Sequence, residues 1–383
     1  MKLEYSMCDI SIREATTKKD LKDLVRFGNQ LYNDCPYFVP DLEQSELAIF
    51  DPKQNTALAY SEIHPLLALR GGEVVGRIVP FINHHSNEQW KSKDVRFMMF
   101  DFIDDRKVSA ALLQAAAQWG RGRGMATIKG PLGFTDMDKE GMLVEDFDMP
   151  GTINTLYNYD YYPRHIEAEG YSKAADWIQI QLSIPDELPE RYRKTADLCR
   201  KLFHLEVTTM TRDNILRHGY GRKFFRLINK SFSHLYGYTQ IDEEQVDRLA
   251  RTYVRLVDLR MVPIVENLEG EIVAAGVCIA SLTEAFRKMG GHLLPLGWWH
   301  LLRALGSHHS SKAELLLIGV DPDYQGSGVN ALLFEHLFRV FHELGYTEAE
   351  TGPQLENNVK ELSQWTPLNP RRVKRRRCYC KQL

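Results

Sequence analysis

The 383-residue sequence predicts an α/β protein made of two tandem domains, each with a mixed sheet flanked by helices. Three observations support this fold class. The chain is more than twice the length of a typical domain of ~150 residues. Short apolar runs typical of strands alternate with longer stretches of helical periodicity. Landmarks of the first half also recur in the same order in the second half, which indicates an internal duplication.

The duplication begins with a β-hairpin in each half and continues through a strand, a helix and a second strand. The second arm of each predicted hairpin starts with a glycine and a glutamate followed by apolar residues. The matching landmarks, first half before second, are Gly72–Val75 and Gly270–Val273, Asp94–Phe100 and Glu314–Val320, Ala111–Leu113 and Ala331–Leu333, and Gly130-Pro131 and Gly352-Pro353.

An insertion distinguishes the second half. The offset between matching landmarks grows from 198 to 220 residues, so about 22 residues are added there, at 283–306. Two interpretations stay open for this apolar segment: a contact with a hydrophobic substrate or a phospholipid surface, or a helical hairpin packed between domains. Two prolines in Ile184–Pro189 interrupt any continuing element, so we expect domains at 1–185 and 186–383.

Composition gives broad limits. With 44% hydrophobic and 26% charged residues the chain is an ordinary globular protein, and its net charge of −3 gives no overall attraction to nucleic acid. The six cysteines are scattered, which favours a reducing compartment. The N-terminus resembles no signal peptide and no run of ~18 apolar residues occurs, so we expect a cytoplasmic protein.

A strand followed by a glycine-containing turn and a helix is the clearest chemical motif. The apolar run 315–320 enters a turn with Gly326 and Gly328, and an apolar-faced helix follows. Glycines allow close approach of a ligand to the backbone, and the first N–H groups of a helix attract anions. The motif therefore predicts a phosphate-binding turn.

The full string from Val320 to Val329, Val-Asp-Pro-Asp-Tyr-Gln-Gly-Ser-Gly-Val, resembles the acyl-CoA-binding loop of the GNAT (Gcn5-related N-acetyltransferase) superfamily. This resemblance implies two tandem GNAT-like domains with mostly antiparallel sheets, and acetyl-CoA or a longer acyl-CoA as a substrate. It assigns the pantetheine arm to a strand and the pyrophosphate to the turn. The residues implied are Ile318, Gly319 and Val320 for the strand, and Gln325, Gly326, Ser327, Gly328 and Val329 for the turn. Asn330 adjoins the same site, where the family usually has Gly or Ala.

A second part of the resemblance lies downstream. Asn358 matches an asparagine that, in the family, precedes a tyrosine by seven residues, and we include it in the cofactor site. Here the residue seven positions later is Trp365, whose indole cannot protonate the departing thiolate. Either solvent or another acid supplies that proton. Trp365 itself either packs on the sheet or contacts the acyl-CoA chain.

The first half lacks the turn. Residues Asp105, Arg106 and Val108 correspond to Gln325, Gly326 and Gly328, and an acid with bulky neighbours excludes a phosphate. The first half still contains Ile166–Tyr171, which resembles a typical helix-to-strand ending of the family. We therefore expect a degenerate first domain and acyl-CoA binding in the second.

Direct attack of an amine on a thioester needs an oxyanion donor and a proton acceptor. A backbone N–H near Gly319 or Val320 would serve as the donor. Alternation along the strand 346–351 places Glu348 and Glu350 on one face, and either of them is our candidate general base. In the alternative interpretation, both glutamates are solvated or paired with the basic tail. We expect no metal site, because neither His84–His85 nor His308–His309 has ligand spacing with a nearby Cys or acid, and we interpret both as surface pairs.

The basic tail, Arg371–Arg377, has six basic residues in seven and precedes a strand-like ending. A solvated basic edge, contact with anionic lipid or ligand, and nucleic-acid binding stay open, although no nucleic-acid motif accompanies the run and we expect no nucleic-acid partner.

The resemblance implies an acyl-CoA-dependent N-acyltransferase, and some tandem relatives acylate long-chain amines such as sphingoid bases. With the apolar insertion, this suggests a small-molecule or lipid-like amine acceptor and peripheral membrane contact. The alternatives are a non-catalytic acyl-CoA-binding or scaffold protein and a peripheral membrane-associated module.

Overall fold

The computed structural model describes residues 5–7, 9–254, 257–306 and 310–383. The chain forms two compact units. The first unit comprises Met1–Trp177, Thr283–Leu301 and Lys374–Leu383, and the second comprises Ile178–Leu282 and Leu302–Val373. Most of the insertion and most of the last strand thus group with the first unit, whereas the sequence assigned both to the second domain. The domain boundaries at 185 and 186 stay a prediction.

Thirteen α-helices are present in the described ranges. They are α1 (Lys18–Leu31), α2 (Glu43–Ala48), α3 (His84–Trp90), α4 (Arg106–Arg121), α5 (Tyr161–Ala168), α6 (Glu190–Phe203), α7 (Arg212–Arg217), α8 (Tyr220–Phe232), α9 (Glu243–Tyr253), α10 (Thr283–Met289), α11 (Gly297–Gly306), α12 (Asn330–Leu344) and α13 (Val359–Ser363).

Sixteen strands occur in the same part of the chain. They are β1 (Tyr5–Met7), β2 (Ile10–Glu14), β3 (Ser61–Ile63), β4 (Leu66–Arg70), β5 (Glu73–Asn83), β6 (Asp94–Phe102), β7 (Thr127–Gly130), β8 (Met142–Leu143), β9 (Ser172–Ser183), β10 (Glu206–Thr209), β11 (Pro263–Glu266), β12 (Ile272–Ala280), β13 (Lys312–Val320), β14 (Glu348–Thr351), β15 (Gln354–Leu355) and β16 (Arg371–Gln382).

The sheet of the first unit has the order β1-β2-β4-β5-β6-β7-β16. Neighbours are antiparallel except β6 and β7, which run parallel. The predicted hairpin around Gly72 is confirmed as β4 and β5. Helix α4 buries Leu112, Leu113 and Ala116 against this sheet, so a 3.6-residue apolar face forms its core contact.

The second unit repeats this arrangement in the order β9-β14-β13-β12-β11-β10. Its hairpin around Gly270 is β11 and β12, as predicted, and β13 and β14 form its parallel pair. Helix α12 buries Leu332, Leu333 and Leu337 in the core of this unit. The mixed, mostly antiparallel sheets flanked by helices therefore agree with the predicted fold class.

The basic tail is solvated only at its start, where Arg371 and Arg372 are exposed, which corrects the interpretation of the whole run as a solvated basic edge. It lies in β16, and Lys374 and Arg376 are buried. Arg375 and Arg377 both donate to Asp176, at 3.1 and 2.8 Å. Burial alone raises the pKa of Asp176, but hydrogen bonds from Arg377 and Lys173 outweigh it, so the net pKa lies below the usual value. An acid distant in sequence thus pairs with two of the six basic residues of the run.

No helix within the described ranges combines the length and the apolar character that crossing a bilayer requires. Those ranges also contain no group of three or more His, Cys, Asp or Glu side chains arranged to hold a metal ion. The pair His308–His309 lies outside the residues that the structure describes.

Candidate functional site

The parallel strands β13 and β14 separate halfway along β13. They pair only over Lys312–Leu315 and Glu348–Thr351. Leu316 forms a β-bulge, because Val277 pairs with Leu317 while the next residue of β12 pairs with Leu315. In the described part of the chain, residues 316–320 have no strand partner on the β14 side. An extended ligand could therefore pair with this edge through main-chain hydrogen bonds.

The turn after β13 needs its two glycines for different reasons. Gly326 and Gly328 both have positive φ, +81° and +88°. A Cβ on Gly326 would enter open space, whereas one on Gly328 would lie 2.4 Å from Cγ2 of Thr195. At position 326 a glycine is therefore required only by the positive φ. At position 328 it is required by the positive φ and also by the close packing of α6 against the turn.

Side chains of the turn are occupied within the protein. Gln325 donates through Nε2 to the carbonyl of Val320 at 3.1 Å, and Ser327 donates through Oγ to the carbonyl of Tyr324 at 2.6 Å. Helix α12 follows directly, and the residue at its N-cap, Val329, has no polar side chain to cap it. The chemistry left for a ligand is that of backbone N–H groups at a helix N-terminus, which suits a phosphate.

The corresponding position of the first unit is closed by a carboxylate. Asp105 caps α4 by accepting from the N–H of Lys107 at 2.8 Å, and it also pairs with Arg70. The hydrogen bond from Arg70, together with that from Lys107, lowers the pKa of Asp105. An ionised side chain thus occupies the helix N-terminus where the second unit has an uncapped turn, which supports the predicted loss of a cofactor site.

The two asparagines predicted for the cofactor site both make internal hydrogen bonds. Asn330 donates through Nδ2 to Oε1 of Gln364 at 2.9 Å, so the start of α12 contacts the end of α13. Asn358 is the N-cap of α13 and donates to Oε2 of Glu361 at 2.8 Å. Trp365 is buried to 1% exposure and donates to Oε1 of Gln354 at 3.0 Å, so the packing interpretation of this residue is confirmed.

Glu361 is a candidate that the sequence interpretation missed. It accepts hydrogen bonds from Gln354 and Asn358, both at 2.8 Å, and lies one helical turn before Gln364, the residue that accepts a hydrogen bond from Asn330 at the start of α12. Burial raises the pKa of Glu361 to about 7, although the two hydrogen bonds act in the opposite direction. A half-buried carboxyl that titrates near neutrality is suited to proton transfer. The sequence signal that could have pointed to Glu361 is its position three residues after Asn358.

The two glutamates predicted as bases have different environments. Glu348 is exposed. The Glu350 side chain is fully buried, forms an ion pair with Lys312 and accepts from Nε2 of Gln179 at 2.9 Å. Neither is paired with the basic tail in these contacts. Their role as a base stays a prediction, and Glu350 would have to act from within an ion pair.

The fold is that of tandem GNAT proteins. Among solved structures, a tandem GNAT protein from the clavulanic acid biosynthesis pathway aligns with a TM-score of 0.56 and 11% identity over 98% of each chain. Two curated sequences are also similar. A bacterial ceramide synthase from Caulobacter vibrioides is 26% identical over 94% of both chains. Protein YghO of Escherichia coli is 28% identical over 97% of this chain and 95% of its own. A comparison with protein-family models finds no match.

Proposed function

We propose that this protein is an N-acyltransferase that moves an acyl group from acetyl-CoA or a longer acyl-CoA to an amine. One observation carries the proposal: in the second unit, a strand with an open edge leads through a glycine turn into an uncapped helix N-terminus. That arrangement offers main-chain pairing for a pantetheine arm and N–H groups for a pyrophosphate.

In this proposal the backbone of Ile318, Gly319 and Val320 runs beside the pantetheine arm. The pyrophosphate lies against the N–H groups of Gly326, Gly328 and Val329, because that of Ser327 donates to the carbonyl of Tyr324 at 3.3 Å. The internal bonds of Gln325 and Ser327 hold the turn in shape. Asn330 and Asn358 act by fixing α12 and α13 at the same site.

The reaction is attack of a neutral amine nitrogen on the thioester carbonyl. The carbonyl oxygen becomes an oxyanion, which a backbone N–H near Gly319 or Val320 would stabilise. Collapse forms the amide and breaks the C–S bond, and the thiolate leaves with the electron pair. A carboxylate takes the proton of the amine, and solvent protonates the thiolate. Glu361 is the proposed acceptor of that proton, with Glu348 and Glu350 as the alternatives predicted from the sequence.

The proposed acceptor is a long-chain, lipid-like amine. The Caulobacter relative is described as a ceramide synthase, and a ceramide is the amide of a long-chain amino alcohol. The near-complete coverage of both chains supports the same substrate class here. The scattered cysteines are our reason for proposing that the reaction occurs in the cytoplasm.

A non-catalytic acyl-CoA-binding protein is the second candidate. Trp365 favours it, because this side chain stands where the family has a thiolate-protonating tyrosine and is committed to the core. The two candidates differ in whether an amide forms.

The experiment is to incubate the purified protein with acyl-CoA donors of two to eighteen carbons and a long-chain amino alcohol. Thiol release and amide formation are followed together by absorbance and mass spectrometry, with Gly326→Glu as the matched control. Thiol and amide in equal amounts with wild type, and neither with the variant, would support the acyltransferase. Acyl-CoA binding without amide would support the second candidate.

A further inference from the structure

Five large apolar side chains of the insertion face solvent, one of which, Leu302, lies further along α11 and is 56% exposed. We call the other four the tip patch: Leu294, Leu296, Trp298 and Trp299, with exposed fractions of 73%, 69%, 42% and 55%. They lie between α10 and the first turn of α11. Single exposed leucines are common on protein surfaces, but four large apolar residues within six positions form a concentrated patch.

The hairpin that carries the tip patch is anchored in the first unit. Thr283 donates through Oγ1 to the carbonyl of Gly151 at 3.2 Å, and the N–H of Glu43 donates to the carbonyl of Gly291 at 3.0 Å. Ala285 and Met289 on α10 are buried. One side of the hairpin thus belongs to the core of the unit, so the exposure of its tip is fixed by the fold rather than by a loose segment.

The chemistry of the tip patch fits a polar–apolar boundary. Trp298 donates through Nε1 to the carbonyl of Pro295 at 2.9 Å, so its N–H stays satisfied where water is scarce. Residues 283–306 contain three basic side chains, Arg287, Lys288 and Arg303, and a single acid, Glu284. Glu284 pairs with Arg287 at 3.2 Å, so the positive excess of the segment is that of Lys288 and Arg303. Indole rings favour the membrane interface, and basic residues beside them favour anionic headgroups.

We propose that the tip patch docks on the surface of a bilayer containing anionic lipids, with Trp298 and Trp299 at the level of the headgroups. The leucines enter the acyl boundary, and the neighbouring basic residues face the lipid phosphates. The excess of positive charge beside the patch is the reason for choosing an anionic bilayer over an apolar protein groove as the occupant. Docking there would bring the protein to the phase in which a lipid-like amine resides.

The test uses the full chain and sedimentation with vesicles, first of phosphatidylcholine alone and then with one third phosphatidylglycerol. Trp298→Ser/Trp299→Ser is the test variant. Leu268→Ser is the matched control, because Leu268 is 77% exposed and lies outside the tip patch. Because the substituted residues are exposed, we expect thermal unfolding of both variants to match wild type. No acyl-CoA is added, so the result is independent of whether acyl transfer occurs.

We expect wild type and Leu268→Ser to bind the anionic vesicles at least tenfold more tightly than the double Trp variant does. We also expect Lys288→Gln/Arg303→Gln to weaken binding to anionic vesicles while leaving the weaker binding to neutral vesicles unchanged. Equal binding by wild type and the double Trp variant, or no vesicle binding at all, would overturn the proposal. Concentration-dependent dimerisation that the double Trp substitution removes, without vesicle binding, would assign the tip patch to self-association and would also overturn it.

Discussion

Lys312 and Glu350 form an ion pair between the parallel strands β13 and β14 of the second unit. Asp94 and Lys129 form the same kind of pair between β6 and β7 of the first unit, with the charges exchanged. The two pairs have the same strand register, since Lys312 lies opposite Glu348 and Asp94 lies opposite Thr127, two residues before the ionic partner in each case. The sequence repeat itself matches Asp94 with Glu314, so the pairs are alike in register and not in repeat position. The first unit has this kind of ion pair although Asp105 closes the helix N-terminus at which the second unit would bind a phosphate. Because the ion pair occurs without that binding site, we favour a structural role for Glu350.

The first prediction follows from this repeated ion pair. Glu350→Gln should lower the free energy of unfolding by about 3 kcal/mol, because it leaves Lys312 without its buried partner. Asp94→Asn is the matched variant in the first unit and should have a similar effect. Urea unfolding followed by circular dichroism measures both. A stable Glu350→Gln protein that loses the acidic limb of its pH–rate profile would instead make Glu350 the base.

The second prediction separates the two glycines. Gly326→Ala should destabilise the protein by about 1 to 2 kcal/mol through its positive φ alone. Gly328→Ala should cost more, because the new Cβ also meets Thr195. Thr195→Ser removes Cγ2, so it should restore part of the stability of Gly328→Ala and none of that of Gly326→Ala. Thermal unfolding of the two double variants measures this difference, and equal effects of Thr195→Ser in both would contradict the packing explanation.

The third prediction concerns proton transfer. Glu361 has a pKa raised to about 7 by burial, so it is protonated below that pH and can accept a proton only above it. The wild-type kcat/KM should therefore rise as the pH passes about 7, and Glu361→Gln should lose that limb. Glu348→Gln is the control and should keep it. If Glu348→Gln lost this limb and Glu361→Gln kept it, Glu348 would be the proton acceptor instead.

Stability gives an independent measurement on Glu361. Its pKa is higher in the folded state than the unfolded value of 4.5, so the folded state binds the proton more tightly. The resulting stabilisation is complete below pH 4.5 and is lost as the pH rises through about 7. Compared with wild type, Glu361→Gln should thus gain unfolding temperature between pH 5 and pH 8. A constant difference across this range would show that Glu361 does not titrate there.

The fourth prediction concerns the basic tail. Asp176→Asn should lower the free energy of unfolding by about 3 kcal/mol at pH 7, because Arg375 and Arg377 lose a fully buried acid. Glu145→Gln, which changes a 60% exposed partner of Arg375, should lower it by less than ~1 kcal/mol. Since the pKa of Asp176 is lowered, its contribution should be present at neutral pH and lost in strong acid. Equal effects of the two variants in urea unfolding at pH 7 would contradict this assignment.

Local sequence patterns predicted the features that depend on nearby residues. The glycine turn, the two hairpins and the tandem order follow from periodicity, turn residues and the internal repeat. The sequence interpretation missed, or predicted wrongly, the features that depend on long-range packing. The acid that neutralises Arg377 lies 201 residues earlier, so the tail resembled a solvated run. Glu361 gained its raised pKa from burial that no local pattern encodes, and the grouping of 283–301 depends on its anchoring to Gly151.

The central claim is that acyl-CoA binds at the glycine turn of the second unit and not at the equivalent position of the first. Calorimetric titration of acyl-CoA into wild type, Gly326→Glu and Arg106→Glu tests it directly, because Arg106 corresponds to Gly326 and both sites accept a new carboxylate in exposed space. We predict that Gly326→Glu weakens binding at least thirtyfold, while Arg106→Glu binds as wild type does. Wild-type affinity in Gly326→Glu, or loss of binding in Arg106→Glu, would contradict it.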